Sequence, residues 1–178
     1  MNPILRMDTA LEQLEKQHKW NQTIDYCENA WRRSKTDPDR LLRLMTQAWF
    51  LCAFIEQLSP GSETGEIPDA DYIRWTSLIA EAYAFGYPLF REDVRFLCVS
   101  GILMTVCPEF FVREGFRLCD VQSTGLELLQ SAKERSGEGA IICHAVVDKI
   151  AVSAQITAQW FPGTTETDLF FRDLLCKP

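Results

Sequence analysis

Residues 41–58 read LLRLMTQAWFLCAFIEQL, and they decide the fold of this 178-residue chain. Their apolar side chains recur at intervals of three and four residues, which is the period of an α-helix. The apolar set is Leu41, Leu42, Met45, Ala48, Trp49, Cys52, Phe54 and Ile55. A stripe of this width does not fit a surface helix. The segment is therefore predicted to be a helix in the middle of the core.

The segments on both sides of this helix have helical periodicity as well. Asn21 is a candidate N-cap of the second helix, Pro38 suits the first turn of the third, and Gly86 suits a C-terminal stop. Further helices are predicted over residues 8–17, 21–35, 69–85, 92–106 and 124–135, with a short turn around 110–116 and a connection up to residue 123.

Residues 139–160 fit two patterns. Alternation over residues 150–158 is typical of a strand, but a lone strand cannot satisfy its backbone, so a helix is predicted. Phe161-Pro162-Gly163 ends it, and Thr165 with Asp168 resembles a capping box for a last helix to residue 175. The predicted fold is all-α: one domain over residues 1–178, a bundle of seven to eight antiparallel helices with an acidic Pro/Gly loop at 59–68.

Composition and charge limit the function. The net charge of −7 and the pI near 4.9 disfavour nucleic acid, which needs a cationic face. They favour a basic protein partner, although acidity also serves solubility. The seven cysteines lie mostly among apolar neighbours, as reduced cysteines do, which predicts a cytoplasmic protein. The longest apolar run, 96–107, is shorter than the roughly 20 residues that span a membrane, so no membrane association is predicted.

Side chains that could support chemistry do not form a recognised motif. Cys143 and His144 are adjacent, but neighbours on a helix point about 100° apart, so His18 would have to supply the base. Asp37-Pro38-Asp39 suits a helix cap better than a cation site. Carboxylate pairs such as Glu12/Glu15 are expected on solvated faces. We therefore predict no catalytic residues, no metal, no cofactor and no enzymatic activity.

The N-terminal helical pair resembles a tetratricopeptide unit. The stretch WNQTIDYCENA from Trp20 fills the slots of that family's second helix with Trp20, Thr23, Ile24, Tyr26 and Ala30. Leu11 stands where the family prefers glycine, and a second copy is missing, whereas a solenoid needs about three. The resemblance implies a helical hairpin with aromatic packing.

A second resemblance covers residues 80–116. This stretch is similar to small helical proteins encoded beside bacterial secreted-toxin and type VI secretion genes. The matching positions are Gly86, Asp93, Phe96, Gly101, Pro108 and Phe110. The resemblance implies a helix stop, a cap, a close helix contact and a turn, none of which carries chemistry.

The resulting hypothesis is a non-catalytic immunity protein that binds and neutralises a cognate secreted bacterial toxin with a basic domain. The expected partner-binding residues lie around the acidic loop: Glu63, Glu66, Asp69, Asp71, Tyr72 and Trp75. Trp20 and Trp160, at segment boundaries, are expected to be partly exposed. One alternative is an adaptor or chaperone of a bacterial secretion system, and another is an enzyme without a recognisable motif.

Overall fold

The structure is a computed structural model that describes residues 4–6, 8–58, 68–112, 117–136 and 152–176. Within these ranges the chain forms eight α-helices and one 3-10 helix and has no β-strand, so the all-α prediction is confirmed. None of these helices is both long enough and apolar enough to cross a membrane. The elements are α1 (Thr9–Lys16), α2 (Trp20–Arg33), α3 (Pro38–Leu58), α4 (Asp69–Phe90), α5 (Val94–Val106), the 3-10 helix η1 (Pro108–Phe111), α6 (Leu118–Ser136), α7 (Ala154–Trp160) and α8 (Glu166–Cys176).

Aspartates fix the N-terminal ends of α1 and α3. Asp8 accepts two backbone N–H hydrogen bonds from the first turn of α1, both at 3.1 Å. Asp37 accepts one at 3.0 Å in the first turn of α3, which confirms the cap predicted there. The predicted cap at Asn21 is wrong, because α2 begins at Trp20 and the Asn21 side chain instead donates to Asp71 at 3.1 Å.

Helix α3 lies in the core, as predicted, and packs against α2, α4, α5 and α8. The Trp49 ring lies 5.8 Å from Phe54 and 6.0 Å from Phe171 of α8. Each large apolar side chain buried in this way stabilises the fold by about 1.5–3 kcal/mol. The fully buried set of α3 is Leu41, Leu42, Leu44, Met45, Ala48, Trp49, Phe50 and Leu51.

Helix α4 continues to Phe90, five residues beyond the predicted end. Gly86 lies inside the helix, where an added Cβ would be 2.5 Å from Leu41 Cδ2 and 2.6 Å from Phe96 Cε2. Gly86 therefore permits close packing of α4 on α3 and α5, and its predicted role as a stop is wrong. Pro88 is exposed in the last turn, and its missing N–H removes the helical hydrogen bond to the carbonyl of Ala84, itself an exposed residue.

Helices α5 and α6 touch backbone to backbone. Asp93 caps α5, as predicted, by accepting two backbone N–H bonds at 2.8 and 3.3 Å. A Cβ on Gly101 would be 2.8 Å from the Gly125 carbonyl oxygen, and one on Gly125 would be 3.0 Å from the Gly101 oxygen. The close helix contact expected at Gly101 is therefore confirmed.

Helix α6 begins at Leu118, so the connection predicted for the residues before Thr124 is wrong over 118–123. The amphipathic pattern is hard to recognise in the first turn of α6, because Leu118 is apolar but exposed, whereas Val121 is buried. The predicted short turn is present as η1, two residues earlier than expected, and residues 113–116 lie outside the described ranges.

The last two helices agree with the predicted breaks. Residues 154–160 are helical, but Val152 and Ser153 are described and not helical, so the predicted helix is wrong at those two positions. The remainder of the segment predicted as helix, residues 139–151, lies outside the described ranges. Thr165 Oγ1 accepts the Asp168 N–H at 3.0 Å, which confirms the predicted cap of α8. Trp20 is partly buried, in line with prediction, but Trp160 is 2% exposed and belongs to the core. The predicted partial exposure of Trp160 is wrong, because the segment that ends α7 beside it, residues 161–163, folds back on α8.

Candidate partner-binding surface

The predicted partner-binding residues surround the start of α4. Glu63 and Glu66 lie outside the described residues. Asp69 is exposed in the first turn, Tyr72 is 38% exposed, and Asp71 is partly buried through its hydrogen bond with α2. The structure therefore brings Asp69, Asp71 and Tyr72 to one end of the helix surface.

Trp75 does not belong to this surface. It is 1% exposed, because the side of α4 that carries it faces the core. Its neighbour Tyr72 lies edge-on to Phe110 of η1 at 6.3 Å, so part of that ring stays accessible. Within the predicted set, Trp75 supports the helix and Tyr72 can reach a partner.

One side of α4 is joined to α2 by ion pairs, which we call the α2–α4 seam. Arg74 contacts Asp25 at 2.5 Å and Glu28 at 2.7 Å, and Arg32 contacts Glu28 at 2.8 Å and Glu81 at 3.3 Å. Partial burial alone would raise the pKa of Glu28, but the hydrogen bonds from Arg74 and Arg32 outweigh it and lower that pKa. The charged group of Arg74 is thus held by two carboxylates of α2.

Next to this seam, α4 has an exposed stripe, which we call the α4 ridge. It consists of Ile73, Ser77, Ala84 and Tyr87, all exposed, at spacings that place them along one side of the helix. Ile73 is 62% exposed and Tyr87 is 43% exposed, so the ridge presents large apolar groups at both ends and small residues between them. Ile73 and Tyr87 are about 21 Å apart along the helix, so the ridge offers a partner two separate apolar contacts.

Beside the ridge runs an apolar groove of about 320 Å³ between α4 and α6, which we call the α4–α6 groove. Tyr83 forms part of its wall and packs edge-on against Phe111 at 5.8 Å. Burial, together with the nearby Tyr87, raises the pKa of Tyr83 to about 12, so its hydroxyl stays neutral. The lining residues are Ala80, Tyr83, Ala84, Tyr87, Met104, Phe111, Val121 and Thr124.

The helices that flank the groove are acidic. Helix α4 carries three carboxylates and one arginine, Arg74, which is held in the α2–α4 seam. Helix α6 carries Asp120, Glu127 and Glu134 against Lys133 and Arg135. Asp120, Thr124 and Glu127 share one edge of α6 by spacing, and Thr124 lines the groove. The groove is therefore apolar within, and its acidic rim is this edge of α6, where Glu127 is exposed and Asp120 is paired with Arg117 at 3.1 Å.

A second, polar pocket of about 240 Å³ lies near α1, α2 and α3. Arg6 pairs with Asp39 at 2.7 Å, Arg40 pairs with Asp37 at 3.2 Å, and the Tyr26 hydroxyl donates to Asp8. Asp37 and Asp39, the candidate cation ligands, are thus used for capping and ion pairing. This pocket stabilises the N-terminal packing and offers a ligand few uncommitted charges. The full lining is Arg6, Asp8, Tyr26, Cys27, Ala30, Asp37, Asp39, Arg40 and Arg43.

Two carboxylates of α1 cap the start of α8. Glu12 accepts the Thr164 N–H at 2.8 Å, and Glu15 accepts the Glu166 N–H at 2.6 Å. Glu15 is 4% exposed, so its predicted place on a solvated face is wrong. The Glu15 side chain lies inside the protein because the N-terminal end of α8 favours a nearby negative charge.

Glu15 belongs to a buried hydrogen-bond network. Its other oxygen accepts from Gln47 Nε2 at 2.6 Å, and Gln47 Oε1 accepts from the Thr167 hydroxyl at 3.0 Å. Burial raises the pKa of Glu15 from 4.5 to about 7, despite the hydrogen bonds from Glu166 and Gln47, which lower it. We call this network the α1–α8 latch.

Beside the latch lies a buried ion pair. Arg43 Nη1 lies 3.1 Å from Asp168 Oδ2, with both side chains almost fully enclosed, and Arg43 also donates to the Arg6 carbonyl oxygen. These groups link α3 to α8 and the N-terminal segment. Both side chains are buried, and Arg43 also forms part of the wall of the polar pocket.

The groups proposed for cysteine chemistry are only partly described. Cys143 and His144 lie outside the described ranges, while His18 is exposed with φ 54° and packs on Trp20 at 5.6 Å. Burial raises the pKa of Cys27 to about 12, which keeps that thiol protonated. Across the described parts of the chain, no three His, Cys, Asp or Glu side chains cluster as metal ligands would.

Comparisons of this chain with models of protein families, with curated proteins and with solved structures find no match.

The groove residue Tyr87 was missed from the sequence because α4 was predicted to end at Phe85. The recurrence of small and aromatic residues at 80, 84 and 87 was the signal that could have revealed it.

Proposed function

We propose that this protein is a non-catalytic binding module, an immunity protein that neutralises a cognate secreted bacterial toxin in the cytoplasm. The observation that carries the proposal is the α4 ridge, where Ile73 and Tyr87 expose apolar surface on an acidic helix. Large apolar groups rimmed by charge are the usual form of a protein-binding site.

Two further features support an acidic inhibitor of a basic domain. The chain carries a net charge of −7, and opposite charge on the partner would accelerate association. The stretch that resembles proteins encoded beside secreted-toxin genes, residues 80–116, contributes six of the eight groove residues. The resemblance and the apolar groove therefore concern the same part of the chain.

The test is co-expression with the product of the adjoining gene, followed by purification of a complex and a growth assay against that product. Full protection is expected from the unaltered chain, and Ile73→Glu should weaken it. Leu126→Glu is the matched control, because Leu126 is 51% exposed but lies two residues, or about 200°, around α6 from Thr124. Absence of both complex and protection would refute the immunity proposal.

The same assay separates the alternative of a secretion adaptor. An adaptor would bind the neighbouring product without suppressing its toxicity, and it would use the tetratricopeptide-like hairpin of α1 and α2. Tyr26 is partly exposed on that hairpin, so Tyr26→Ala rather than Ile73→Glu would then weaken the complex. Protection that depends on Ile73 favours the immunity protein.

A further inference from the structure

We propose that the α4–α6 groove binds a basic amphipathic helix of the partner. This inference rests on the proposed function and specifies the element that the partner inserts. It follows from three properties of the groove: its small-residue wall, its apolar floor and its acidic rim.

The wall and floor suit a helix. Ala80, Ala84 and Tyr87 follow one another at i, i+4 and i+7 along α4, so small side chains allow close approach and one aromatic ring ends the wall. Met104 and Phe111 form an apolar floor. Residues 80–87 cover about 10 Å of the axis of α4, which is the length over which a helix running along the groove would place apolar anchors at i, i+3, i+4 and i+7.

The volume also favours side-chain anchors over an enclosed small molecule. About 320 Å³ lies at the lower limit of the roughly 300–1,000 Å³ typical of ligand pockets. The site is a groove open beside the exposed residues Ala84 and Tyr87. Methionine on the floor can adapt to anchors of different shapes, as it does at helix-binding surfaces.

The rim decides the charge of the occupant. Asp120 and Glu127 lie on the edge of α6 that carries Thr124, and Glu127 is exposed there. Arg117 is already bonded to Asp120 at 3.1 Å, and Arg74 is held by α2. Lysine or arginine on the polar side of the inserted helix would find the exposed Glu127, and it could exchange with Arg117 at Asp120, because an exposed ion pair contributes little stability. A second copy of this acidic chain would be repelled instead.

A direct test uses a synthetic amphipathic peptide of about 18 residues, with leucine at i, i+3, i+4 and i+7 and lysine on the polar face. The full chain is labelled with ¹³C at the methionine methyl groups and titrated by NMR. The Met104 signal should shift and saturate. The Met45 signal, from the core of α3, is the internal control and should move little.

Two peptide controls test the chemistry of the occupant. A peptide with glutamate in place of lysine should bind about tenfold more weakly or not at all, because its charges face the acidic rim. A scrambled lysine–leucine peptide of the same composition should also lose affinity. Equal shifts of Met104 with all three peptides, or no shift with any, would overturn the proposal.

A substitution inside the groove provides an independent test. Ala84→Arg fills the groove and neutralises its rim, so the lysine peptide should bind about tenfold more weakly. Ala158→Arg introduces the same side chain at an exposed site on α7 and should leave affinity unchanged. Circular dichroism of both variants shows whether the fold is retained. Equal affinities for the folded variants would contradict binding in the groove.

The outcomes for the groove and for the proposed function are distinguishable. If the adjoining gene product is neutralised equally well by the Ala84→Arg chain, and the peptide leaves Met104 unshifted, the groove proposal fails and the immunity function stands. If the peptide shifts Met104 but no neighbouring product is bound or neutralised, the groove proposal stands and the immunity function fails.

Discussion

Replacing Glu15 by glutamine tests the α1–α8 latch. The Glu15 carboxyl is buried between Gln47 and the Glu166 N–H, each 2.6 Å away. Because burial raises its pKa from 4.5 to about 7, the folded protein keeps a proton over a pH range in which the unfolded chain has lost it. Glutamine has nearly the same shape and does not titrate.

The sign of the effect follows from proton linkage. Between pH 4.5 and 7 the native state binds more protons than the unfolded state, so the free energy of unfolding falls as the pH rises. One pH unit corresponds to about 1.4 kcal/mol, which gives about 3 kcal/mol over the whole window. Because a protein is least soluble near its pI, here about 4.9, the measurement is made above pH 5.5. About 2 kcal/mol of the change in the free energy of unfolding remains above that pH.

The network can accommodate the substitution. The side-chain oxygen of the introduced glutamine can accept the Glu166 N–H. The NH₂ of the same side chain can donate to the Gln47 side-chain oxygen once the Gln47 amide has rotated by about 180°. Gln47 would then donate to the Thr167 hydroxyl, which also accepts hydrogen bonds. We therefore expect Glu15→Gln to remain folded and to lose the pH dependence that Glu15 contributes.

The assay is urea unfolding of both proteins by circular dichroism between pH 5.5 and 8.5. The stability of the wild-type chain relative to Glu15→Gln should fall by about 2 kcal/mol up to pH 7 and then level off. Gln13→Ala, exposed on the same helix, is the control, and its difference from wild type should not vary with pH. A difference for Glu15→Gln that stays constant within about 0.5 kcal/mol would refute the assigned burial and raised pKa.

Three further perturbations test the packing. Gly101→Ala places a Cβ 2.6 Å from Leu129 Cγ, so we expect a loss of about 1–3 kcal/mol in urea unfolding, and an unchanged midpoint would contradict the close helix contact. Arg43→Met leaves Asp168 buried without its partner, so thermal denaturation should show a loss of about 3–5 kcal/mol, whereas a loss below about 1 kcal/mol would argue against a buried pair. Cys119 is the exposed cysteine of the described ranges, so a thiol reagent should modify it first, and peptide mass spectrometry showing faster labelling of a buried described cysteine would disprove this.

Predictions that depend on neighbours in sequence were the most successful. The caps at Asp37, Asp93 and Thr165 each require a hydrogen bond to a backbone N–H two or three residues later. The core position of residues 41–58 also follows from local periodicity, since a helix that is apolar on several sides must be enclosed. These features could be predicted because the interacting groups lie within one or two helical turns.

Several predictions that depend on distant partners failed, although the close contact at Gly101 was confirmed. The Gly86 residue packs against Leu41 and Phe96, and a glycine that permits such contact cannot be told from a stop signal in the sequence alone. Glu15 was expected in solvent because its partner, the Glu166 N–H, lies 151 positions later. Arg43 and Asp168, 125 positions apart, carry no local signal of their pairing.

The candidate surface was predicted in part. The acidic residues Asp69 and Asp71 and the ring of Tyr72 lie at the surface end of α4, but the groove beside them depends on the approach of α6 and η1. The position of α6 depends on its packing against α5, where Gly101 contacts Gly125. The sequence therefore indicated the helix and its charge, but the concave part of the surface needed the tertiary structure.

The α1–α8 latch has a consequence for folding during translation on the ribosome. Translation at about 5–20 residues per second puts roughly 8–30 s between the emergence of Glu15 and that of Glu166, given their separation of 151 positions. During that interval α1, which has eight residues and is barely stable alone, can pack only against helices already translated, and Glu15, without the Glu166 N–H, would be hydrated and ionised. When α8 arrives, Glu15 loses its water shell and, at neutral pH, takes up a proton in part of the molecules. The earliest of the described helices to be translated is thus completed only when the latest one has emerged.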